Sequence, residues 1–270
     1  MIHPSAIISP RAQLDSSVEV GPFSVIDAGV SLGPGCRLGP HVYLTGHTAI
    51  GPDNSFHAGC VIGGPPQDVK YKDAPTRLRV GAANLFREGA TVHRSATLEE
   101  DTVVGSRNFL MVNSHLGHNV CLGDHVIVAN GALLAGHVRV GDGAFISGNC
   151  LVHQFVRVGT LAIMQGGAAI SQDLPPFMVA RGVNSVCGLN TIGLRRAGFS
   201  PAERLELKRL YQKLFLSGRN LSQALAEAQQ EFLSAPARLL LDFIAASKRG
   251  VCRHRGLAYG QGHAGDDAID

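Results

Sequence analysis

Large apolar residues recur at every sixth position through most of this chain. Beginning at Ile2, each sixth residue up to Ile62 is large and apolar, and the same register resumes at Val80 and continues to Ile170. The fifth place of each hexad is mostly small or β-branched. This pattern predicts a short strand and a turn in every hexad, with one large and one small side chain pointing inward. Three hexads would form one coil of about 18 residues, and stacked coils would bury a common core.

The period of six also indicates where the predicted prism is interrupted and where it ends. A polar segment over 63–79 interrupts the register and is predicted to be a long loop, and beyond Pro176 the register stops. The predicted organisation is a mainly β protein with a parallel β-helix over 1–190, a loop at 63–79, an α-helical domain over 191–250 and a flexible tail over 251–270.

Helix-start signals follow the repeat region. Ser200 and Glu203, with a proline between them, form a capping box at the start of an amphipathic segment. Two further helices are predicted to begin near Asn220 and Ser234, the second ending near Gly250.

Composition agrees with a repeat protein and narrows the functional classes. Gly makes up 33 of 270 residues, aromatic residues make up 6%, and Trp is absent, which argues against an ordinary helical bundle. A net charge of +3 does not call for a nucleic-acid partner. Neither a membrane span nor a signal peptide is predicted, so a cytoplasmic protein is expected. Cys36, Cys60 and Cys150 take inward places and are interpreted as core residues.

The twelve histidines are the most informative polar residues. His118, His137 and His153 lie in hexads that begin 18 residues apart, so they are predicted to share one face on three successive coils. None takes an inward place, and His115 ends the hexad before His118. His57 and His93 take the second place of hexads that this numbering assigns to the preceding face.

The histidine cluster allows three interpretations at this point. One is a catalytic base with substrate-holding imidazoles, another is a zinc site shared between subunits, and the third is a set of solvated turn residues. Gly136, directly before His137, would let a ligand approach the backbone and could donate its N–H to an oxyanion.

Several strings resemble a known family in order and spacing. The chain resembles the hexapeptide-repeat acyltransferases, and among them the UDP-N-acetylglucosamine O-acyltransferases of lipid A biosynthesis. The strings are GPPQDVKY, TVHRS, LMVNSHLGHNV, LAGHV, LVHQF, SQDLPPF and LNTIGLRRAGF. The resemblance implies a left-handed β-helix, a homotrimer with active sites between subunits, and no cofactor or metal.

The resemblance also implies roles for individual residues. His118 would be the general base, and the backbone N–H of Gly136 the oxyanion donor. Gly166 falls where the family measures the length of its acyl chain, so a bulky residue there should favour shorter donors. The implied substrate-contacting residues are Asp68, Lys70, His93, His115, His137, His153, Gln154, Gly166, Asn190 and Arg196.

Three positions depart from the family pattern. Asn119 follows His118 where the best-known members carry Asp, and a neutral amide can orient an imidazole but cannot stabilise its cation by charge. Ile192 and Ala197 replace an acidic and a basic residue that some members carry near the nucleotide. These departures concern the details of binding and not the class of reaction.

The expected function is transfer of a 3-hydroxyacyl chain from acyl carrier protein to the 3-position of a UDP-glucosamine sugar. An N-acyltransferase of the same pathway is the alternative enzyme, but its added N-terminal domain has no room where the hexads begin at Ile2. A metal-binding solenoid of the carbonic-anhydrase-like type is the alternative of another class. Basic residues in the helical domain are candidates for contact with the acidic carrier protein, namely Arg195, Arg204, Lys208, Arg209 and Lys213.

Overall fold

The computed structural model describes residues 1–254, and most of them form a three-sided parallel β-helix. The three sheets contain 9, 8 and 11 strands, and within the prism each strand pairs in parallel with the strand one coil away. We call the sheets the first, second and third face in the order in which the chain reaches them after Ile7.

The strands of the first face are Ile7–Ile8, Val25–Ile26, Tyr43–Leu44, Val61–Gly64, Thr91–His93, His115–Leu116, Leu133–Leu134, Leu151–Val152 and Ala169–Ile170. Those of the second face are Gln13–Leu14, Val30–Leu32, His47–Ile50, Arg77–Val80, Thr102–Val104, Cys121–Leu122, Arg139–Val140 and Arg157–Val158. Those of the third face are Glu19–Val20, Arg37–Leu38, Ser55–Phe56, Leu85–Phe86, Phe109–Leu110, Ile127–Val128, Phe145–Ile146, Ile163–Met164, Met178–Ala180, Ser185–Leu189 and Arg253–His254.

The interior of the prism is filled as the hexad pattern predicts. Leu110, Leu116 and Leu122 point inward from the three faces of one coil and are almost completely buried. The fifth places between them hold smaller buried residues such as Val120. Because neighbouring coils lie about 4.8 Å apart, each inward side chain packs on its equivalents above and below. The predicted parallel β-helix is therefore confirmed.

The corners between faces use left-handed backbone conformations. At the corner between the first and second faces, Asn119, His137 and Phe155 have φ of 58°, 60° and 65° on three successive coils. Such values are cheap for Asn and costly for larger side chains, so the corner constrains which residues can stand there.

The sequence prediction is wrong at two interruptions of the prism. Gly63 and Gly64 belong to a strand, as do residues 77–79, so the long loop covers 65–76 instead of 63–79. The hexad predicted to begin at Leu98 does not exist, because residues 94–101 form a second loop in which Leu98 is 54% exposed.

The second loop also changes the face on which His93 lies. The strand Thr91–His93 pairs with His115–Leu116, so His93 lies on the first face with His115 and not on the preceding one. The loop takes the length of one hexad but contributes no strand to any face. Counting residues in sixes cannot detect such a loop. His57 follows the strand Ser55–Phe56 and lies beside the third face, as predicted.

The helical part begins directly after the last prism strands. The capping box of Ser200 and Glu203 is confirmed, as are the helix starts at Asn220 and Ser234. The last helix ends at Ala245, before the predicted end near Gly250. The helical segments are α1 (Thr191–Arg196), α2 (Pro201–Tyr211), a π-helical turn (Gln212–Leu216), α3 (Leu221–Glu231) and α4 (Ala235–Ala245).

The predicted flexible tail over 251–270 is wrong for its first four residues. Val251 and Cys252 are buried, and the strand Arg253–His254 pairs with Ser185–Leu189. Residues 255–270 lie outside the described part of the chain. Within residues 1–254, every helix is too short or too polar to cross a membrane.

Three buried asparagines link consecutive coils at the corner between the second and third faces. Asn54 Oδ1 accepts from the backbone N–H and Nδ2 of Asn84, at 3.0 and 2.9 Å. Asn84 Nδ2 donates to the Gly105 carbonyl, and its Oδ1 accepts from the backbone N–H of Asn108. Asn108 Oδ1 in turn accepts from Val126 N–H. Each asparagine thus satisfies backbone groups that the corner would otherwise leave buried and unpaired.

Replacing the middle asparagine should destabilise the prism. Asn84→Ala leaves the Asn108 N–H and the Gly105 carbonyl without partners, and we expect a loss of about 3 kcal/mol in the free energy of unfolding. The check is the thermal midpoint, with Gln223→Ala on the exposed surface of α3 as the control. A midpoint within one or two degrees of the control would show that the asparagine ladder is dispensable.

Candidate active site

A cavity of about 550 Å³ opens on the first face between the loop 65–76 and the last coils. Its polar lining is largely imidazole, and its apolar lining comes from outward positions of the first-face strands. The lining residues are Gln67, His93, His115, Gly117, His118, Leu133, Ala135, Gly136, Leu151, Val152, His153, Gln154, Ala169, Ile170, Ser171 and Val183.

His118 stands at the corner that follows the strand His115–Leu116. Its Nδ1 lies 3.0 Å from Oδ1 of Asn119, and its half-buried ring borders the cavity. Asn119 is only 5% exposed. A hydrogen bond at Nδ1 fixes the orientation of the ring and leaves the other nitrogen, Nε2, available. A general base needs this arrangement.

Gly136 occupies the same corner position as His118 on the next coil. A Cβ built on Gly136 would lie 2.6 Å from both Cε1 and Nε2 of the His118 ring, so the ring occupies space that any other residue would fill. The backbone N–H of Gly136 donates to no acceptor among residues 1–254. An unused N–H beside an imidazole nitrogen is suited to bind a developing oxyanion.

Two further imidazoles, those of His93 and His115, line the cavity. The ring centroids of His93 and His115 lie 5.1 Å apart in an edge-on arrangement. Burial, with His93 as a smaller contribution, lowers the pKa of His115 to about 4. Burial also lowers the pKa of His93, whose Nδ1 donates to the Pro65 carbonyl of the loop. Both rings are therefore uncharged at neutral pH and can act as hydrogen-bond partners for a polar ligand.

His137 lies behind His118 and does not line the cavity. Its ring meets the His118 ring edge-on at 5.1 Å and stacks on Phe155 at 4.6 Å with an interplanar angle of 15°. Burial, followed by the nearby His118, lowers the pKa of His137. The stack of His137 and Phe155 therefore packs against the His118 ring.

The loop 65–76 is anchored by a buried arginine. Arg94 is 8% exposed, donates to the Gly63 carbonyl at 3.0 Å and donates from Nε and Nη2 to the Tyr71 hydroxyl. Its guanidinium also lies 5.6 Å from the centre of the Tyr71 ring and 3.4 Å from an Asp73 oxygen. These contacts hold the loop against the prism and place Gln67 at the cavity.

Several residues implied by the family resemblance lie away from this cavity. Asp68 and Lys70 follow Gln67 in the loop but are not among the residues that line the cavity. Asn190 caps α1: its Oδ1 accepts from Gly193 N–H, and its Nδ2 donates to the Leu161 carbonyl. Arg196 is exposed at the end of α1.

Gly166 also lies outside the lining of the cavity, at a corner of the coil that contains Ala169. It lacks the positive φ of its neighbour Gly167, and a Cβ there would meet only the Gly148 carbonyl, at 3.7 Å. A side chain at position 166 is therefore sterically tolerated within one chain.

The apolar part of the site was not predicted from the sequence. Leu133, Leu151 and Ala169 stand at equivalent outward positions of the first face on three successive coils. Leu133 is 43% and Leu151 49% exposed. Apolar residues at outward places spaced by one coil were the available signal, because an outward place normally holds a polar side chain. They form a trough that leads away from His118 and is suited to an alkyl chain.

The part of the chain described by the structure offers no set of three His, Cys, Asp or Glu side chains that could hold a metal ion. His93, His115 and His118 line one cavity, but they do not converge on a common point. The arrangement of one oriented imidazole, one free peptide N–H and an apolar trough is instead suited to activating a hydroxyl group for acyl transfer.

Family models match two parts of the chain. The model described as Udp N-acetylglucosamine O-acyltransferase, domain 2, matches residues 173–252, and the model described as bacterial transferase hexapeptide matches residues 101–136. The second match covers the corner that carries His118 and extends to Gly136.

Relatives and solved structures cover nearly the whole chain. An acyl-[acyl-carrier-protein]--UDP-N-acetylglucosamine O-acyltransferase from Thermodesulfovibrio yellowstonii is 43% identical over 93% of this chain and 99% of its own length. The enzyme of the same name from Syntrophobacter fumaroxidans is 44% identical with the same coverage. The crystal structure of a UDP-N-acetylglucosamine acyltransferase from Bacteroides fragilis has a TM-score of 0.89 and 37% identity over 94% of this chain and 100% of its own. The Francisella novicida enzyme has a TM-score of 0.90 and 33% identity over 98% and 100%. The β-helix is left-handed, as the resemblance implied.

Adding one methyl group at Gly136 should displace the His118 ring without unfolding the prism. Gly136→Ala places a Cβ 2.6 Å from Nε2 of His118, so we expect kcat to fall by about 100-fold, as for a misplaced base. Gly148→Ala, at the same hexad place where a Cβ meets nothing closer than 3.4 Å, is the matched control. Equal activities of the two variants would contradict this view of Gly136.

The lowered pKa of His115 should make stability depend on pH. Between its ordinary pKa of about 6.5 and its folded pKa of about 4, the unfolded chain binds a proton that the folded chain does not. Above about pH 6.5 neither state binds this proton, and the free energy of unfolding carries no penalty from His115. As the pH falls from there to about 4, the free energy of unfolding decreases, until the folded chain also binds the proton. His115→Asn should reduce this loss, measured as the thermal midpoint across the window. A constant difference between variant and parent at every pH would show that His115 does not titrate in this way.

Proposed function

Because this chain belongs to the UDP-N-acetylglucosamine O-acyltransferase family, we propose an assignment of the reaction to individual residues. The protein transfers an acyl chain from acyl carrier protein to UDP-N-acetylglucosamine, in the first step of lipid A biosynthesis. The observation that carries the assignment of residues is the placement of the His118 ring against Gly136 at the head of an apolar trough, where the Gly136 N–H has no acceptor within residues 1–254.

In the proposed mechanism, His118 Nε2 takes the proton of the 3-hydroxyl of the sugar while that oxygen attacks the thioester carbonyl. The carbonyl oxygen becomes negatively charged and accepts a hydrogen bond from the Gly136 N–H. Collapse of the intermediate breaks the carbon–sulfur bond, and the proton on His118 passes to the departing thiolate. The products are the O-acylated sugar nucleotide and the free thiol of the carrier protein, and no metal or cofactor takes part in a step.

The remaining assignments follow from the geometry of the cavity. We assign polar contacts with the substrates to Gln67, His93, His115, His153 and Gln154, and the 3-hydroxyacyl chain to the trough of Leu133, Leu151 and Ala169. Gly166, on the coil where the trough ends, is the proposed limit on acyl length. His137 supports the base rather than contacting substrate.

We propose a homotrimer in which neighbouring prisms cover the open side of the cavity. Exposed leucines in the trough support a covering partner, because a chain left alone would present them to water. Asp68, Lys70, Asn190 and Arg196 are absent from the cavity lining, and we assign their contacts with substrate to the part of the site that neighbouring prisms complete. The cytoplasm is the proposed compartment. The proposed contacts for the acidic carrier protein are Arg195, Arg204, Lys208, Arg209 and Lys213.

Loss of the proposed base should abolish turnover and leave the trimer intact. His118→Ala removes only a half-buried corner side chain, and we expect kcat to fall by about 10²–10⁴-fold. The assay uses hydroxyacyl carrier proteins of several chain lengths with UDP-N-acetylglucosamine and its 3-amino analogue. His57→Ala, which removes an imidazole beside the third face, is the control. Near-normal turnover by His118→Ala would move the role of base to another group.

A further inference from the structure

Asn119 forms hydrogen bonds that distinguish the two ends of its side-chain amide. The amide lies between the His118 ring and the loop 94–101, and both Asn119 and Ser95 are buried. Oδ1 accepts from Ala96 N–H at 2.9 Å, and Nδ2 donates to Ser95 Oγ at 2.6 Å. A backbone N–H can only donate, so Ala96 requires an oxygen at the position that Oδ1 occupies.

Ser95 fixes the other end of the amide. Its hydroxyl hydrogen is donated to the Thr97 carbonyl at 2.8 Å, and its oxygen accepts from Thr97 N–H at 3.0 Å. Because its hydrogen is donated to Thr97, Ser95 Oγ can otherwise only accept hydrogen bonds. The Nδ2 group of Asn119 donates one to it. A flipped amide would set two donors against each other at Ala96 and would take the Ser95 hydrogen away from Thr97.

The orientation of the amide determines the tautomer of His118. Oδ1 can only accept, so the ring nitrogen 3.0 Å from it, Nδ1, must carry the proton in the neutral imidazole. Nε2 then holds a lone pair on the side of Gly136. A flipped amide would present an N–H to Nδ1 and favour the tautomer in which Nε2 is protonated and cannot accept a proton. In serine-protease triads, an amide in place of the orienting carboxylate holds the histidine in the wrong tautomer, and kcat falls by about 10⁴-fold.

We propose that Ser95 is a positioning residue for the reaction: through Asn119 it holds His118 in the tautomer with Nδ1 protonated and Nε2 free. This inference rests on the proposed role of His118 as the base. A carboxylate at position 119 would not need Ser95 to direct it, because both of its oxygens accept, and Ser95 would turn its hydrogen from Thr97 to the carboxylate. An amide has one accepting end, and this chain supplies Ala96 and Ser95 to direct it toward His118.

The test combines Ser95→Ala with Asn119→Asp. In the parent protein, Ser95→Ala leaves Nδ2 without a partner and reduces the preference for one amide orientation, so we expect kcat to fall about tenfold, as for one lost hydrogen bond, with KM for the sugar within twofold. In the Asn119→Asp background there is no amide to direct, so the same substitution should leave the His118 tautomer unchanged and lower kcat by less than in the parent protein. Ser114→Ala, which removes another fully buried serine hydroxyl that has no partner among the described residues, is the matched control.

A spectroscopic measurement separates this inference from the assignment of the base. The ¹⁵N chemical shifts of the His118 ring, identified by their absence in His118→Ala, report which nitrogen is protonated. We expect protonated Nδ1 in the parent and in Asn119→Asp, and a mixture of tautomers in Ser95→Ala. An unchanged tautomer in Ser95→Ala, or an equal loss of kcat in both backgrounds, would overturn the role of Ser95. If His118→Ala stays active while the tautomer still shifts, only the assignment of the base fails.

Discussion

The structure depends on the hydrogen bonding of each strand to the strand one coil away, about 4.8 Å along the prism. This spacing makes every residue a close neighbour of the residue at the same place in the next coil. It therefore pairs His118 with Gly136, and Asn119 with His137. An imidazole can project between two coils only where the adjacent coil has no side chain at the same place. The active-site cavity follows from this stacking rule applied to two rows of corner residues.

The period of six predicted the prism, its inward residues and the shared face of His118 and His153, but it placed His93 on the wrong face. The loop 94–101 takes the place of one hexad, so Leu98 kept the apolar register by coincidence while the faces shifted by one. The loop 65–76 likewise leaves the register of six intact. A pattern with a period of six cannot detect an insertion whose length is a multiple of six. Only the pairing of strands shows which face follows such a loop.

At the site, the sequence and its resemblance to a family brought forward the imidazoles and Gly136 but not what orients them. The contacts of Asn119 with Ser95 and Ala96 come from a loop that has no periodicity, so no spacing rule could predict them. The anchoring of the loop 65–76 by Arg94 has the same origin. The apolar trough is visible in the sequence as outward leucines one coil apart. It was not predicted, because the predicted site was built from polar residues and glycines.

The cavity works with very little fixed charge. Burial lowers the pKa of His93, His115 and His137, so these rings stay neutral and add no positive charge beside His118, the proposed base. Asn119 likewise supplies direction without a negative charge. Stabilisation of the reacting groups must then come from hydrogen bonds of defined geometry, which are effective in a site that excludes water. The left-handed corner favours asparagine for backbone reasons, with φ of 58° at position 119, and the loop 94–101 turns that residue into an oriented acceptor. In this protein one side chain therefore satisfies both the β-helix corner and the orientation of the proposed base.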